Sequence, residues 1–343
     1  MKKGYAVSLA VVGVAACVAV FAVNSMGTKQ TALYNAFTAE DAEFMKFVSK
    51  YGKSYGTKEE FEFRSQQFKQ NFAKVHMNNA RNDVTYRLGI NKFADYTPSE
   101  YKRLLGYKKL TTNKNIQFLD VPNADTVNWV TAGKVNPVKD QGQCGSCWAF
   151  SAIGSIESHY AIEHGKLLSL SEQELVDCSY SPDGNQGCNG GDMDLAFQFA
   201  ETSALESESD YPYEASDDKC RYDASKGLVK VQSFVDVAQN NQEQLKAAIA
   251  KGPVSVAIEA DTFVFQFYSG GILNDEGCGT NLDHGVVAVG YGVENGQEYF
   301  LVRNSWGASW GDNGYIKIAN DGKANSPGIC GIASQPTYPI TAQ

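Results

Sequence analysis

Positive charge and histidine are what this sequence has little of. Thirty Lys and Arg stand against 39 Asp and Glu, a formal net charge of −9. No basic run longer than Lys108-Lys109 follows the first few residues, which argues against a nucleic-acid partner. Histidine occurs four times, and none pairs with the cysteines at zinc-ligand spacing. The cysteine spacings themselves fit no zinc template, so neither a metal nor another cofactor is expected. There is no Asn-X-Ser/Thr acceptor, because Asn325-Ser326-Pro327 fails at its third position. That argues against delivery to an acid compartment by N-glycan tagging. No internal repeat and no low-complexity stretch occur, which excludes repeat arrays and fibrous chains.

What is there divides by position. The chain has 343 residues, enough for two or three compact units with a large core. Lys2 and Lys3 precede an apolar stretch, Tyr5 to Val23, interrupted by Ser8, and small residues follow at Ser25 and Gly27. Residues 1–27 therefore read as a secretory signal. A retained signal-anchor is the alternative, since the stretch is about as long as a membrane span. From Thr28 to Asp120 there are 16 Lys and Arg against 10 Asp and Glu, a net of +6. From Val121 to Gln343 there are 12 against 29, a net of −17. A basic segment joined to an acidic domain is expected to dock on it, and to dock less well as carboxylates take up protons.

Eight cysteines are present. Cys17 falls in the apolar stretch as a filler, and Cys147 is set aside for chemistry. The remaining six, Cys144, Cys178, Cys188, Cys220, Cys278 and Cys330, behind a secretory signal suggest three disulfides. Sequence spacing leaves their pairing open.

Periodicity predicts helices over 38–50 and 58–80. In the second, Glu60, Arg64, Phe68, Asn71, Val75 and Asn79 line one face, with Glu60 and Arg64 as an i,i+4 ion pair. The alternation in Gly89-Ile-Asn91-Lys-Phe93-Ala-Asp95 suits a short strand. Cys147 to Glu163 reads as a helix stopped by Gly165. Ser171 to Glu174 reads as a capping box, and Asp192 to Thr202 as a third helix of this half. Strands are expected at Val229–Asp236, Val254–Glu259, His284–Tyr291, Glu298–Arg303 and Tyr315–Ala319, interrupted by one helix, Asn241 to Lys251. A helical half followed by a β half gives an α+β domain in two lobes with a cleft between them.

Chemistry concentrates at Gln141-Gly-Gln-Cys144-Gly145-Ser146-Cys147-Trp148-Ala149-Phe150. A thiol at the start of a helix is favoured as the thiolate. Such a nucleophile needs a base and a group to orient it. His76 lies in the basic segment, and His164 just past the Cys147 helix. His159 is about 18 Å along that helix from Cys147, too far to serve. His284 remains, 137 residues downstream. A hairpin centred on residue 294 places Asn304 opposite His284. The Asn304 amide is therefore expected to hold one ring nitrogen and turn the other toward Cys147.

With the motifs Gly187-Cys188-Asn189-Gly190-Gly191, Asp283-His284-Gly285 and Asn304-Ser305-Trp306-Gly307, the chain resembles the precursor of a papain-family, cathepsin L-like cysteine peptidase. The resemblance covers roughly residues 38 to 340. The 60–79 face resembles that family's inhibitory pro-helix motif, with Val75 where isoleucine is usual. Gly89, Asn91, Phe93 and Asp95 match its second pro-segment motif.

The resemblance implies a two-lobed papain-like fold, helical lobe plus antiparallel β-barrel lobe. It implies a 28–120 inhibitory pro-segment and a 121–343 mature domain. Cys147 would be the nucleophile and His284 the acid/base, resting as a thiolate–imidazolium pair. Asn304 would orient His284 and Trp306 would shield their bond. The Gln141 amide and the Cys147 N–H would form the oxyanion hole. The disulfides would be Cys144–Cys188, Cys178–Cys220 and Cys278–Cys330. Gly190 and Gly191, with Asp283, would face the substrate backbone. Met193, Ala257, Leu282, Gly285 and Gln335 would line an apolar pocket for the residue second before the scissile bond. Polypeptides would be substrates and cystatin-type proteins inhibitors. The chain would be a monomer of the secretory pathway, lysosomal, vacuolar or secreted. The stretch Gln117-Phe118-Leu119-Asp120 would allow self-processing after Leu119 or Asp120. A catalytically silent binding protein on the same scaffold is the alternative.

Overall fold

The computed structural model describes residues 37–111, 116–120 and 124–342. The apolar N-terminal stretch, with Cys17, and the Val121-Pro122 junction lie outside the described residues. Helices are α1 (Ala39–Lys50), α2 (Lys58–Asn79), α3 (Pro98–Lys102), α4 (Cys147–His164), α5 (Glu172–Cys178), α6 (Met193–Thr202), α7 (Gln242–Ile249) and α8 (Phe263–Gln266). Strands are β1 (Tyr86–Leu88), β2 (Ile116–Gln117), β3 (Val127–Asn128), β4 (Val231–Val237), β5 (Val254–Ile258), β6 (Tyr268–Leu273), β7 (His284–Glu294), β8 (Gln297–Arg303), β9 (Tyr315–Ala319) and β10 (Thr337–Thr341). Among the described residues no helix is long and apolar enough to cross a membrane.

The chain forms two compact units, divided between Lys69 and Gln70. Compaction thus divides the chain well before residue 120, where the charge changes. In the first unit a full capping box starts α1. Thr38 Oγ1 accepts from the Asp41 N–H at 3.2 Å, and Asp41 Oδ2 accepts from the Thr38 N–H at 2.7 Å. Its apolar contact is aromatic: the Phe44 ring lies 5.2 Å from Phe61 and 5.4 Å from Phe68. Glu60 and Arg64 are 3.9 Å apart, a loose pair.

The second unit holds one ten-stranded sheet in the order β1-β6-β9-β8-β7-β5-β10-β4-β2, with β3 on β7. Neighbours are antiparallel except β6–β9 and β2–β4. The expected strand at Gly89–Asp95 is displaced: the strand is β1, just before it, and 92–95 is a turn. Asn91 explains this. Its Oδ1 accepts from the Phe93 N–H at 3.0 Å, closing an Asx turn that an extended strand would break. β6 and β10 are strands that periodicity did not reveal, since Ser269-Gly270-Gly271 and Pro339 weaken both patterns.

Helix α4 is buried on all sides over Cys147–Ser158. Its serines answer the polarity of the sheet beneath. Ser151 Oγ donates to Val286 O at 2.7 Å and Ser155 Oγ to Pro253 O at 2.8 Å. Ser255 Oγ returns a bond to Ser151 O at 3.0 Å. These bonds fix the helix against β5 and β7, and so fix Cys147 against the start of β7. Gly165 closes α4 with φ +74°, the left-handed conformation that favours glycine.

The cap of α5 is half of the expected box. Ser171 Oγ accepts from the Glu174 N–H at 2.9 Å and donates to Tyr211 O at 2.6 Å. The Glu174 carboxylate turns to the Glu206 N–H instead. Ser171→Ala removes the cap and orphans a carbonyl inside the fold. It should lower zymogen stability by about 2–3 kcal/mol, read from the denaturation midpoint.

Candidate active site

Cys147 opens α4 and is buried. Its Sγ accepts from the Gly106 N–H at 3.3 Å and the Gly285 N–H at 3.4 Å. Burial pushes the thiol up to about 11, against the pull of those N–H groups. His284 opens β7, also buried. Its Nε2 lies 2.8 Å from Asn304 Oδ1. An amide oxygen can only accept, so Nε2 carries the proton and Nδ1 is the free base. Burial pushes this imidazole down to about 4, opposed by the Asn304 bond. The Trp306 ring stacks on it at 4.6 Å.

The hairpin that brings His284 and Asn304 together differs in register from the expected one. Its strands run on to Glu294 and Gln297, leaving Asn295-Gly296 as the turn, with φ +51° and +79°. That is the signature of a two-residue type I′ turn. Val287 therefore faces Arg303, and Asn304 meets His284 from beyond the last paired residue. The contact holds while the opposition does not.

Gln141 stands beside them with every amide group used. Its Oε1 accepts from Ser305 Oγ at 2.7 Å and Trp306 Nε1 at 3.1 Å. Its Nε2 donates to Cys144 O and to Leu104 O, each at 2.8 Å. The Leu104 carbonyl thus occupies the donor expected to serve an oxyanion.

Leu104 belongs to a stretch that fills the cleft. Gly106 O accepts from the Gly191 N–H at 2.8 Å, the Lys108 N–H donates to Gly191 O at 2.9 Å, and the Tyr107 N–H donates to Asp283 O at 2.9 Å. Tyr107 pairs with Gly191 in parallel sense. Side-chain room at 106 is nil: a Cβ there would stand 1.7 Å from Gly145 O. Sequence reading did not assign these residues. The signal was present, since Leu104-Leu105-Gly106-Tyr107 is an apolar island inside basic residues 102–109.

Tyr107 joins the buried cluster that contains Cys147, Met193 and Ala257, with Leu282 packed against it. Gly285 touches Met193, whose Sδ would be 3.1 Å from a Cβ at 285. Gln335 is half-buried on the approach to β10. Gly190 lies against Gly106, whose carbonyl would be 2.5 Å from a Cβ at 190. Asp283 holds the Ala260 and Asp261 N–H groups, and burial raises it to about 7.

The disulfides are Cys144–Cys188, Cys178–Cys220 and Cys278–Cys330. The first, with the Gly145 N–H on Cys188 O at 3.0 Å, ties the nucleophile loop to the Gly190-Gly191 strand. Among the described residues no cluster could hold a metal ion. His159 bonds to Pro253 O at 3.0 Å and plays no part here.

Residues 123–340 match the family model for papain family cysteine proteases, and 44–101 match the cathepsin propeptide inhibitor domain. The chain belongs to the papain family of cysteine proteases. It is 49% identical over 282 residues to a probable cysteine protease RD21B of Arabidopsis thaliana, covering 80% of this chain. It spans only 60% of that relative's length. Digestive cysteine proteinase 3 of Homarus americanus is 44% identical, with 85% of this chain and 92% of the relative covered. A solved digestive procathepsin L 3 of Tenebrio molitor larval midgut superposes with a TM-score of 0.81 at 39% identity, covering 88% of this chain and 99% of the other. The papain-like fold and cysteine-peptidase class expected from the motifs are therefore correct, and the chain carries its own inhibitory pro-segment.

For a papain-family enzyme the covered state is instructive. The expected thiolate–imidazolium pair is disfavoured here, because burial favours the neutral thiol and the neutral imidazole. Sγ is held by two backbone N–H groups, and among the described residues Nδ1 has no hydrogen-bond partner. A raised thiol carries less thiolate at any pH below its pKa. Zymogen alkylation by iodoacetamide at pH 8 should therefore run about 100-fold slower than for an ordinary cysteine, rising only toward the pKa of about 11. Gly106→Ala should undock the segment. The isolated 37–120 peptide carrying it should inhibit the mature enzyme at least about 100-fold more weakly, read as Ki.

Proposed function

We propose that this chain is a cathepsin L-like endopeptidase made as an inhibited zymogen, with residues 28–120 as pro-segment and 121–343 as the mature enzyme. One observation carries the reading. Cys147, His284, Asn304 and Gln141 converge, with a backbone carbonyl already on the Gln141 donor. In the uncovered enzyme Cys147 passes its proton to His284 Nδ1, and Sγ attacks the scissile carbonyl. The developing oxyanion takes the place of Leu104 O on Gln141 Nε2, joined by the Cys147 N–H. Losing one such donor costs about 3–4 kcal/mol of transition-state stabilisation. His284 then protonates the leaving amine, and water hydrolyses the thioester. The pro-segment escapes cleavage because it presents the Gly106 N–H to Sγ, where a substrate presents a carbonyl carbon.

Tyr107 in the Met193, Ala257 and Leu282 cluster supports an apolar preference second before the scissile bond, for Leu, Phe or Val. Gln335 at the pocket floor would tolerate a polar tip. The substrates are polypeptides, cystatin-type proteins are the fitting inhibitors, and the enzyme acts as a monomer. Three disulfides fit an oxidising compartment. Together with relatives named as digestive proteinases, they favour secretion or a lysosome-like digestive vacuole, after removal of the 1–27 signal.

Acid release rests on surface pairs between the basic segment and the acidic domain. These are Arg81–Asp275 at 3.8 Å, Lys92–Asp140 at 2.5 Å and Lys102–Asp261 at 2.6 Å. A basic segment on an acidic domain docks less well as the domain loses negative charge in acid. Such pairs are individually weak and act only in sum. Asp283 works the other way. Held up to about 7, it is neutral in acid and costs little to keep covered. Lys92→Gln with Lys102→Gln should therefore raise the pH at which activity appears, and an unmoved midpoint refutes the charge-release account.

Self-processing near Leu119 has an obstacle. Leu119 N–H and C=O are both bonded to the Gln244 amide, at 2.7 and 2.9 Å. A cut after Leu119 or Asp120 requires that clamp to open. The Cys147→Ala precursor held at acid pH should stay uncut, judged by gel mobility and N-terminal sequencing. Full maturation of that variant without added protease disproves self-processing.

A further inference from the structure

One hydroxyl spans the loop between Gln141 and the start of α4. Tyr213 Oη lies 2.8 Å from Gln141 O and 2.6 Å from Ser146 Oγ. A carbonyl oxygen can only accept, so the single phenol hydrogen goes to Gln141 O. Ser146 Oγ–H must then donate to Tyr213 Oη. The Cys144 N–H also approaches Gln141 O, at 3.5 Å, so the phenol makes the closer bond there.

The Ser146 bond is unusual for its position. Ser146 is the N-cap of α4, where a serine hydroxyl ordinarily accepts from the second or third N–H of the helix. Here the side chain makes no such bond, and the backbone, at φ −95° and ψ 15°, is not the extended conformation usual for a cap. The hydroxyl is diverted from its local task to Tyr213. It thereby fixes the residue whose peptide bond carries the Cys147 N–H, one of the two proposed oxyanion donors. The other, Gln141 Nε2, belongs to the opposite end of the same loop.

Tyr213 is itself held. Its ring meets the Phe150 ring of α4 edge-on, with centroids 4.8 Å apart. Its N–H donates to Glu208 Oε1 at 2.9 Å, and Glu208 Oε2 lies 3.2 Å from Lys139 Nζ. Lys139 also reaches Glu172 Oε2 at 2.8 Å, at the start of α5. The turn after Tyr213 lies on the loop, since a Cβ at Gly142 would stand 3.2 Å from Ala215 Cβ.

We propose that Tyr213 is a positioning residue for the reaction. Its hydroxyl sets the spacing between the Gln141 amide and the Cys147 N–H, and so the geometry of the oxyanion site. This deepens the endopeptidase reading above and rests on it. A developing oxyanion needs its donors at about 2.7–3.1 Å. Donors carried at the two ends of one loop keep that spacing only while the loop keeps its shape. The Tyr213 hydroxyl bonds to neither Cys147 Sγ nor His284, so its effect falls on the chemical step rather than on the resting thiol.

The test compares the acid-matured enzyme with its Tyr213→Phe variant on a peptide amide, active sites counted with an epoxide thiol-trap. Phe keeps the ring against Phe150 and removes only the hydroxyl. The kcat should fall about tenfold, with KM held within about twofold. The pH profile of Cys147 alkylation by iodoacetamide should not move. In a Gln141→Ala background, where the site is already broken, Tyr213→Phe should cost less than about twofold. Unchanged kcat, a shifted alkylation profile or the same tenfold loss in both backgrounds overturns this inference alone. Should Tyr213→Phe give no titratable enzyme, Ser146→Ala carries the test by removing the other partner. It should lower kcat at least about threefold with the alkylation profile unmoved, and an unchanged kcat overturns the inference. No hydrolysis and no epoxide uptake by the unaltered enzyme overturns the endopeptidase reading as well.

Discussion

One buried amide holds the catalytic cleft together. Gln141 has its oxygen filled by Ser305 and Trp306 and its nitrogen by Cys144 and Leu104. Its backbone is bonded to Ser305 O at 2.9 Å and to the Tyr213 hydroxyl at 2.8 Å. The nucleophile loop, the loop after β8 and the pro-segment therefore meet at a single side chain. An unpaired buried donor costs about 1–3 kcal/mol. Whatever leaves Gln141 Nε2 must be replaced, by water, by a substrate carbonyl or by the oxyanion that forms from it. The pro-segment and the reaction compete for the same donor.

That competition explains the chemistry of the covered state. Closing the cleft removes water from Cys147 and His284, and desolvation favours the uncharged form of each. In the covered state burial favours the neutral thiol and the neutral imidazole. Two backbone N–H groups on Sγ keep the thiol satisfied without any help from His284. When the cover leaves, water and the start of α4 become the environment of the sulfur, and both favour the thiolate.

The sequence made some of this legible and hid the rest for physical reasons. The Gly165 stop and the Asn304 partner of His284 could be read because each depends on local chemistry: a glycine, a hairpin. The register of that hairpin could not, because a two-residue turn and a five-residue turn both fit Gly292-Val-Glu-Asn-Gly296. The positive φ of Asn295 and Gly296 decided it. The strand expected at Gly89–Asp95 failed because an Asn side chain outcompeted alternation. β6 and β10 escaped notice because a Gly pair and a Pro break the pattern of partly buried strands. Leu104 to Tyr107 escaped for another reason. Their role lies entirely in what they touch, and short apolar runs have no periodicity to betray them.

Glycine and charge divide the work of inhibition between them. Gly106 against Gly145, and Gly190 against Gly106, allow backbones to approach more closely than any side chain permits, which makes the fit specific. Fit of that kind is indifferent to pH. The ion pairs at Lys92 and Lys102 lie at the surface and are individually weak, which makes them poor anchors. Placing the tight contacts at the thiol and the weak ion pairs around the rim gives a segment that docks in one register.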